Sequence, residues 1–163
     1  MPDPLQELRE WHRDEISAAA MFDELAQRAD DQDRAFKWRT LARLERHVAA
    51  HLQAALAERG VAAPVPIADE RQFTAAGNPY LGLTWRAAME RMRPMLVGYV
   101  RDFENAEARM PQDLLPLARF ATAHEQALLD FVVRELDDAG RGSLDPVLSV
   151  LGQSPPHAAP RPT

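Results

Sequence analysis

The chain has 163 residues, a formal net charge of −6, 46% hydrophobic residues and no cysteine. That length fits one domain with a sizeable core, and the missing cysteine excludes disulfides, thiolate metal sites and Cys nucleophiles. No basic stripe is available to neutralise phosphates, so no nucleic-acid partner is expected; no apolar run approaches the ~18–20 residues of a membrane span, and residues 1–30 lack the pattern of a signal peptide, so a cytoplasmic protein is expected.

Asp3-Pro4-Leu5-Gln6 reads as a helix start, with Asp3 as cap, Pro4 in the first helical position and Gln6 completing a capping box. The helix is predicted over about 4–29, and Leu8, Trp11, Ala19, Phe22 and Ala26 share one face at 3.6 residues per turn. Glu15 lies near the middle of that face, with His12 one turn below. A carboxylate there must be paired, protonated or bound to a cation, because an isolated buried charge is too costly. Asp30–Asp33 forms a polar turn in which Asp33 can cap a second helix, predicted over about 34–59 and ending at Gly60. Leu41, Leu44, Val48, Leu52 and Ala55 make its apolar face; Glu45 falls within it, His51 on its shoulder, and His47 on a wetter side.

Residues 60–80 contain Gly60, Pro64, Pro66, Gly77, Asn78 and Pro79, which break any regular pattern. A connection of that length asks for a reason; a crossover along a bundle supplies one, since twenty extended residues span ~60 Å. A third helix over about 80–110 carries Trp85, Met89, Met92, Leu96, Tyr99 and Phe103 on one face. After the turn Pro111–Asp113, a fourth helix over about 113–137 turns Leu117, Phe120, His124, Leu128 and Phe131 inward; Glu135 projects to the same side and is expected to meet an Arg or solvent near the helix end. A short helix ending at Leu151 and a disordered, Pro-rich tail over 152–163 complete the chain. Four long amphipathic helices joined by a short loop, a long crossover and a short loop, with no competing strand signal, define an all-α four-helix bundle over residues 1–151.

Glu15-x-x-Ala18-x-x-x-Phe22-x-x-Leu25-Ala26 resembles the first helix of ferritin-like proteins, especially the rubrerythrin branch, and Leu41-Ala42-x-x-Glu45 resembles the approach to that family's second-helix metal motif. The likeness covers roughly residues 4–137 and implies a ferritin-like bundle. The family's dimetal pattern takes one Glu from each of two helices and Glu-x-x-His from each of the other two. Here the second helix reads Glu45-Arg46-His47-Val48, with Val48 where His is expected and His47 out of phase by about 100°. The fourth reads Ala121-Thr122-Ala123-His124, keeping the His and replacing the Glu by Ala; the alternative register starts at Glu125, at the edge of the face, and lacks the His. The third helix offers Met92, Met95, Leu96 and Tyr99 where a bridging Glu is needed, while Glu90 points outward and Glu104 and Glu107 fall off the site.

Glu15, Glu45 and His124 thus remain of six ligands. With a rise of ~1.5 Å per residue, Glu15 and His124 each lie ~16 Å above the bottom of their helices and Glu45 ~20 Å above that end, so in a crossover bundle the three meet at one height. His12 and His51 lie about one turn lower and are expected as outer partners of the ligands. By resemblance, the trio implies a small bacterial-type oxidoreductase or metal-binding protein with a reduced, not dinuclear, site for iron or manganese, Glu15, His124 and Tyr99 carrying the chemistry toward oxygen or peroxide. Iron storage is not expected from such a site.

Two readings from other classes stay open. The trio is equally a hydrogen-bonded buried cluster in a metal-free bundle of structural, binding or stress-related role, or an acid–base site of a metal-free enzyme, which requires an apolar cavity beside His124. Met89, Met92 and Met95 read first as core gap-fillers, Tyr99 as a core aromatic with its hydroxyl on a buried carboxylate, and His47 with His51 as solvated or capping residues. No phosphate-binding loop is present. A homodimer is expected from the bundle type, and the small-molecule ligand is left open.

Overall fold

The computed structural model describes residues 3–64, 77–137 and 142–152, and among them it contains helices and turns and no strand. The helices are α1 (Pro4–Arg28), α2 (Gln32–Glu58), α3 (Trp85–Glu107), α4 (Leu115–Leu136) and α5 (Asp145–Leu151). The crossover expectation falls largely on residues 65–76, and the disordered-tail expectation on 153–163; both lie outside the described residues.

Helix starts differ locally from the sequence reading. Asp3 caps α1, its Oδ1 accepting from Leu5 N at 3.0 Å, but Gln6 donates to Glu10 at 3.0 Å rather than closing a capping box. Asp31, not Asp33, caps α2, accepting from Arg34 N at 2.9 Å; Asp33 falls inside the first turn, where it meets Lys37. Gly60, at φ 69°, ends α2 with Gly60 N–H on Ala57 O and Val61 N–H on Leu56 O, the paired bonds of a left-handed helix stop. α3 begins only at Trp85 because Thr84 caps it and residues 77–84 form a turn instead. In that turn Asn78 is buried and donates to Met21 O of α1 at 3.1 Å, while its Oδ1 accepts from Tyr80 N.

The apolar faces pack as hairpins, α1 on α2 and α3 on α4, with α2 against α4 joining them and α5 against α4 and α2. Leu8, Leu41, Leu44, Val48, Leu52, Met89 and Phe131 are wholly enclosed, each large side chain contributing ~1.5–3 kcal/mol over an exposed one. Chain directions follow from end contacts. Arg59 at the end of α2 pairs with Asp113 before α4, and Lys37 near the start of α2 pairs with Glu135 near the end of α4, so these helices are antiparallel. Glu7 with Arg109 and Trp11 with Phe103 set α1 antiparallel to α3. α1 and α3 do not approach along their backbones as the other neighbours do; they meet through the Trp11–Phe103 stack, with ring centroids 4.5 Å apart. Pro94, inside α3, lacks the N–H for one helical bond. No described helix is long and apolar enough to cross a membrane.

Glu135 corrects the sequence reading. Rather than meeting an Arg or solvent, it is buried and accepts from Lys37 Nζ at 2.7 Å, Trp85 Nε1 at 2.9 Å and Ser143 Oγ at 2.5 Å. Burial alone would lower the Lys37 pKa, but hydrogen bonds to Glu135 and Asp33 outweigh it and raise the pKa. Glu135 therefore ties α2, through the only lysine, to α3, α4 and the approach to α5 in one polar knot. Removing one partner of a buried pair leaves the other uncompensated. Glu135→Ala is expected to cost ~3 kcal/mol or more in urea unfolding, and the Lys37→Met/Glu135→Leu double variant less than the sum of its single variants.

Candidate functional site

Three helices bring one polar side chain each to a common point in the core. Glu15 of α1, Glu45 of α2 and His124 of α4 are 4%, 1% and 0% exposed. His124 Nε2 lies 3.0 Å from Glu45 Oε2 and 3.3 Å from Glu15 Oε2. Each helix directs its residue inward because the residues one turn away are apolar: Trp11 and Ala19 about Glu15, Leu41 and Val48 about Glu45, Phe120 and Leu128 about His124. On the other side of the ring, His124 Nδ1 is 3.0 Å from Ala121 O, a carbonyl that only accepts, so Nδ1 carries a proton. Nε2 is the atom left to face the carboxylates, as donor when the ring is charged and as a lone pair when it is neutral.

Burial strongly perturbs the cluster. Desolvation pushes Glu15 up to about 8, against the opposing pull of His124 and with a further push from Glu45. Desolvation also disfavours a charged His124, but Glu15, Glu45 and Glu125 together hold its pKa well above the ordinary value. Glu125 is a member that the sequence reading placed at the edge of the face; it is 6% exposed and burial raises it to about 7. Its signal was available: Glu125 follows Ala121 by four residues and precedes Leu128 by three, within the apolar stripe. Glu45 Oε1 and Glu125 Oε2 are buried with no hydrogen-bond partner.

A cavity of about 310 Å³ opens between α1 and α3 and reaches the cluster. Glu15, Glu45 and Glu125 border it from within; Trp11, Phe22 and Phe103 give aromatic walls, and Met92, Leu96 and Leu128 aliphatic ones. Pro79 and Tyr80 border it from the loop before α3. Tyr99 is also at the cavity but is 46% exposed, so it lies at the surface rather than in the core position expected of it; burial is the first cause of its raised pKa, followed by Glu125 and Asp14. Met89 and Met92 are core, as expected, whereas Met95 is partly exposed beside Tyr99.

His12 and His51 are buried but are not among the residues whose ligand atoms converge. Burial lowers the His12 pKa against the pull of Glu15, and its Nδ1 has no hydrogen-bond partner. His51 packs edge-on against Phe120 and His47, with centroids 4.7 Å and 4.4 Å away. His47 is half-buried rather than wet, its Nε2 enclosed without a hydrogen bond.

The trio fits a metal ion. One atom from each of Glu15, Glu45 and His124 lies within 4.8 Å of the others, and the 3.0 and 3.3 Å from His124 Nε2 to the two carboxylates are spans that bonds of ~2.0–2.2 Å to a shared centre can bridge. The Nδ1–H bond to Ala121 O orients the ring as metal-bound histidines are commonly oriented, and Glu45 Oε1 is an acceptor without a protein donor. No protein-family model, curated protein or solved structure matches the chain.

The metal-free cluster has a definite linkage sign. Glu15 titrates near 4.5 when unfolded and about 8 when folded, so the native state holds a proton that the unfolded state releases across that window. Stability therefore falls as pH rises from 4.5 to 8, by about 1.4 kcal/mol per pH unit for a whole proton. The raised pKa values of Glu125 and His124 act in the same direction. The urea midpoint of metal-free protein is expected to fall between pH 5.5 and 8 and to fall less in Glu15→Gln, which carries a neutral group at every pH.

Proposed function

We propose that this chain is a ferritin-like bundle that binds a single divalent iron or manganese ion through Glu15, Glu45 and His124 and acts as an oxidoreductase-type protein. The observation that carries the reading is the convergence of two carboxylates and one tautomer-fixed imidazole, from three helices, with the two carboxylates bordering a cavity. The ferritin-like order of helices is supported by two contacts: Arg59, ending α2, lies beside Asp113, whereas Asn78 lies beside Met21 near the far end of α1. The described chain thus leaves α2 at one end of the bundle and resumes near the other, as a crossover requires.

Two ionised carboxylates balance the charge of a divalent ion, and oxygen and imidazole donors suit manganese and iron. A bound iron or manganese ion would supply redox chemistry toward oxygen or peroxide. The chain's own residues hold His124 Nε2 toward the centre, exclude water with Trp11, Phe22 and Phe103, and leave the cavity side open for a small molecule. A dinuclear centre lacks its remaining ligands: Val48 stands where a second-helix His is needed, and Met92, Leu96 and Tyr99 occupy the facing stretch of α3.

A second reading is favoured by the position of Glu15, whose proton at neutral pH borders the cavity. Without a metal, Glu15 and His124 form an acid–base pair beside an apolar chamber. Elemental analysis and anaerobic titration separate the two. Untagged protein is expected to take up about one equivalent of Fe(II) or Mn(II), with His124→Ala and Glu45→Gln each lowering affinity at least tenfold. Less than a tenth of an equivalent after reconstitution overturns the metal reading.

A further inference from the structure

Glu125 holds a buried carboxylate that metal binding by the trio leaves unused. It is 6% exposed, its Oε2 has no hydrogen-bond partner, it borders the cavity, and it is not one of the three converging ligands. We infer that the cavity between α1 and α3 is a binding site for a small organic cation, a primary amine on an apolar body, whose ammonium sits on Glu125.

The charge pattern selects the head group. The charged side chains at the cavity, Asp14, Glu15, Glu45 and Glu125, are all acids, and among the described residues no lysine, arginine or histidine lines it. An ammonium donates a hydrogen bond to the Glu125 carboxyl, whereas a carboxylate or phosphate head finds no cationic partner among the described residues at the wall. Trp11, Phe103 and Tyr99 add aromatic rings of the kind that attract a cation. Apart from the other acids and the Tyr80 and Tyr99 hydroxyls, the lining is apolar, Met92, Leu96 and Leu128 included, so the body of the ligand is hydrocarbon. At about 310 Å³ the chamber lies near the lower end of the ~300–1,000 Å³ range of small-molecule sites, which sets the size at a single ring or a short chain. Met95 and Tyr99, 41% and 46% exposed, place the entrance along the outer side of α3.

This inference does not rest on the metal. It is tested with chelator-stripped protein titrated calorimetrically with three probes of one skeleton: 4-phenylbutylamine, 4-phenylbutan-1-ol and 4-phenylbutanoate. The amine is expected to bind at least tenfold tighter than the alcohol, and the carboxylate not measurably. Glu125→Gln should bring the amine to the level of the alcohol. Ala18→Phe, which fills the cavity from α1, should abolish binding of both, with folding of each variant checked by circular dichroism. Equal binding of amine and alcohol, amine binding indifferent to Glu125→Gln or Ala18→Phe, or no binding of any probe overturns the inference. If Glu125→Gln does not fold, the probe series with Ala18→Phe still decides head group and location. Amine binding without metal uptake would overturn the metal reading alone.

Discussion

A charged side chain in an apolar core is tolerable only when its partners arrive from other elements at the same depth. Glu15, Glu45 and His124 impose that condition on α1, α2 and α4 together. Rotating any one of these helices by a residue would swing its polar group about 100° away and leave the others unpaired. The trio therefore acts as a register pin, whether it holds a proton or a metal. α3 carries no member of the trio, and it is the helix that stands off from α1 and leaves the cavity.

The Lys37–Glu135 knot does a similar job at one end of the bundle, and the Arg59–Asp113 and Glu7–Arg109 pairs mark the other. They are not equivalent. Lys37 and Glu135 side chains are almost fully enclosed, so each depends on the other for its charge, and Trp85 and Ser143 depend on Glu135 as their acceptor. Asp113 is exposed and Arg109 partly so, and solvent screens such pairs to a small net effect. α2 and α4 are thus held by a buried polar contact near one end and another near the middle.

Helical periodicity made most of this legible. Every residue named for the inward faces of the first two helices and the fourth is buried, and the three ligand candidates meet as their heights required. What the pattern missed has physical causes. Asp31 and Asp33 are both acceptable caps, and only the first turn's geometry chooses between them. The sequence predicts the third helix from about residue 80, but Gly82 at φ 76° and the Asn78 bonds hold a turn there and the helix starts at Trp85. Glu135 was assigned an Arg by abundance; the rare Lys37 took its place through a tertiary contact that no local pattern encodes. Glu125 is set aside because it reads as lying at the edge of the face and its register lacks the His, although its spacing from Ala121 and Leu128 places it inside.

The absent α3 ligand and the cavity are two consequences of one set of residues. On the proposed reading, Met92, Leu96 and Tyr99 stand where a ferritin-like bundle needs a bridging carboxylate, and these same three residues border the chamber. A carboxylate there would need a second cation and would draw α3 toward the centre. Apolar side chains carry no such demand, so α3 can rest on the Trp11–Phe103 stack. On that reading the missing bridging carboxylate and the apolar chamber have one cause, the apolar residues that this stretch of α3 carries.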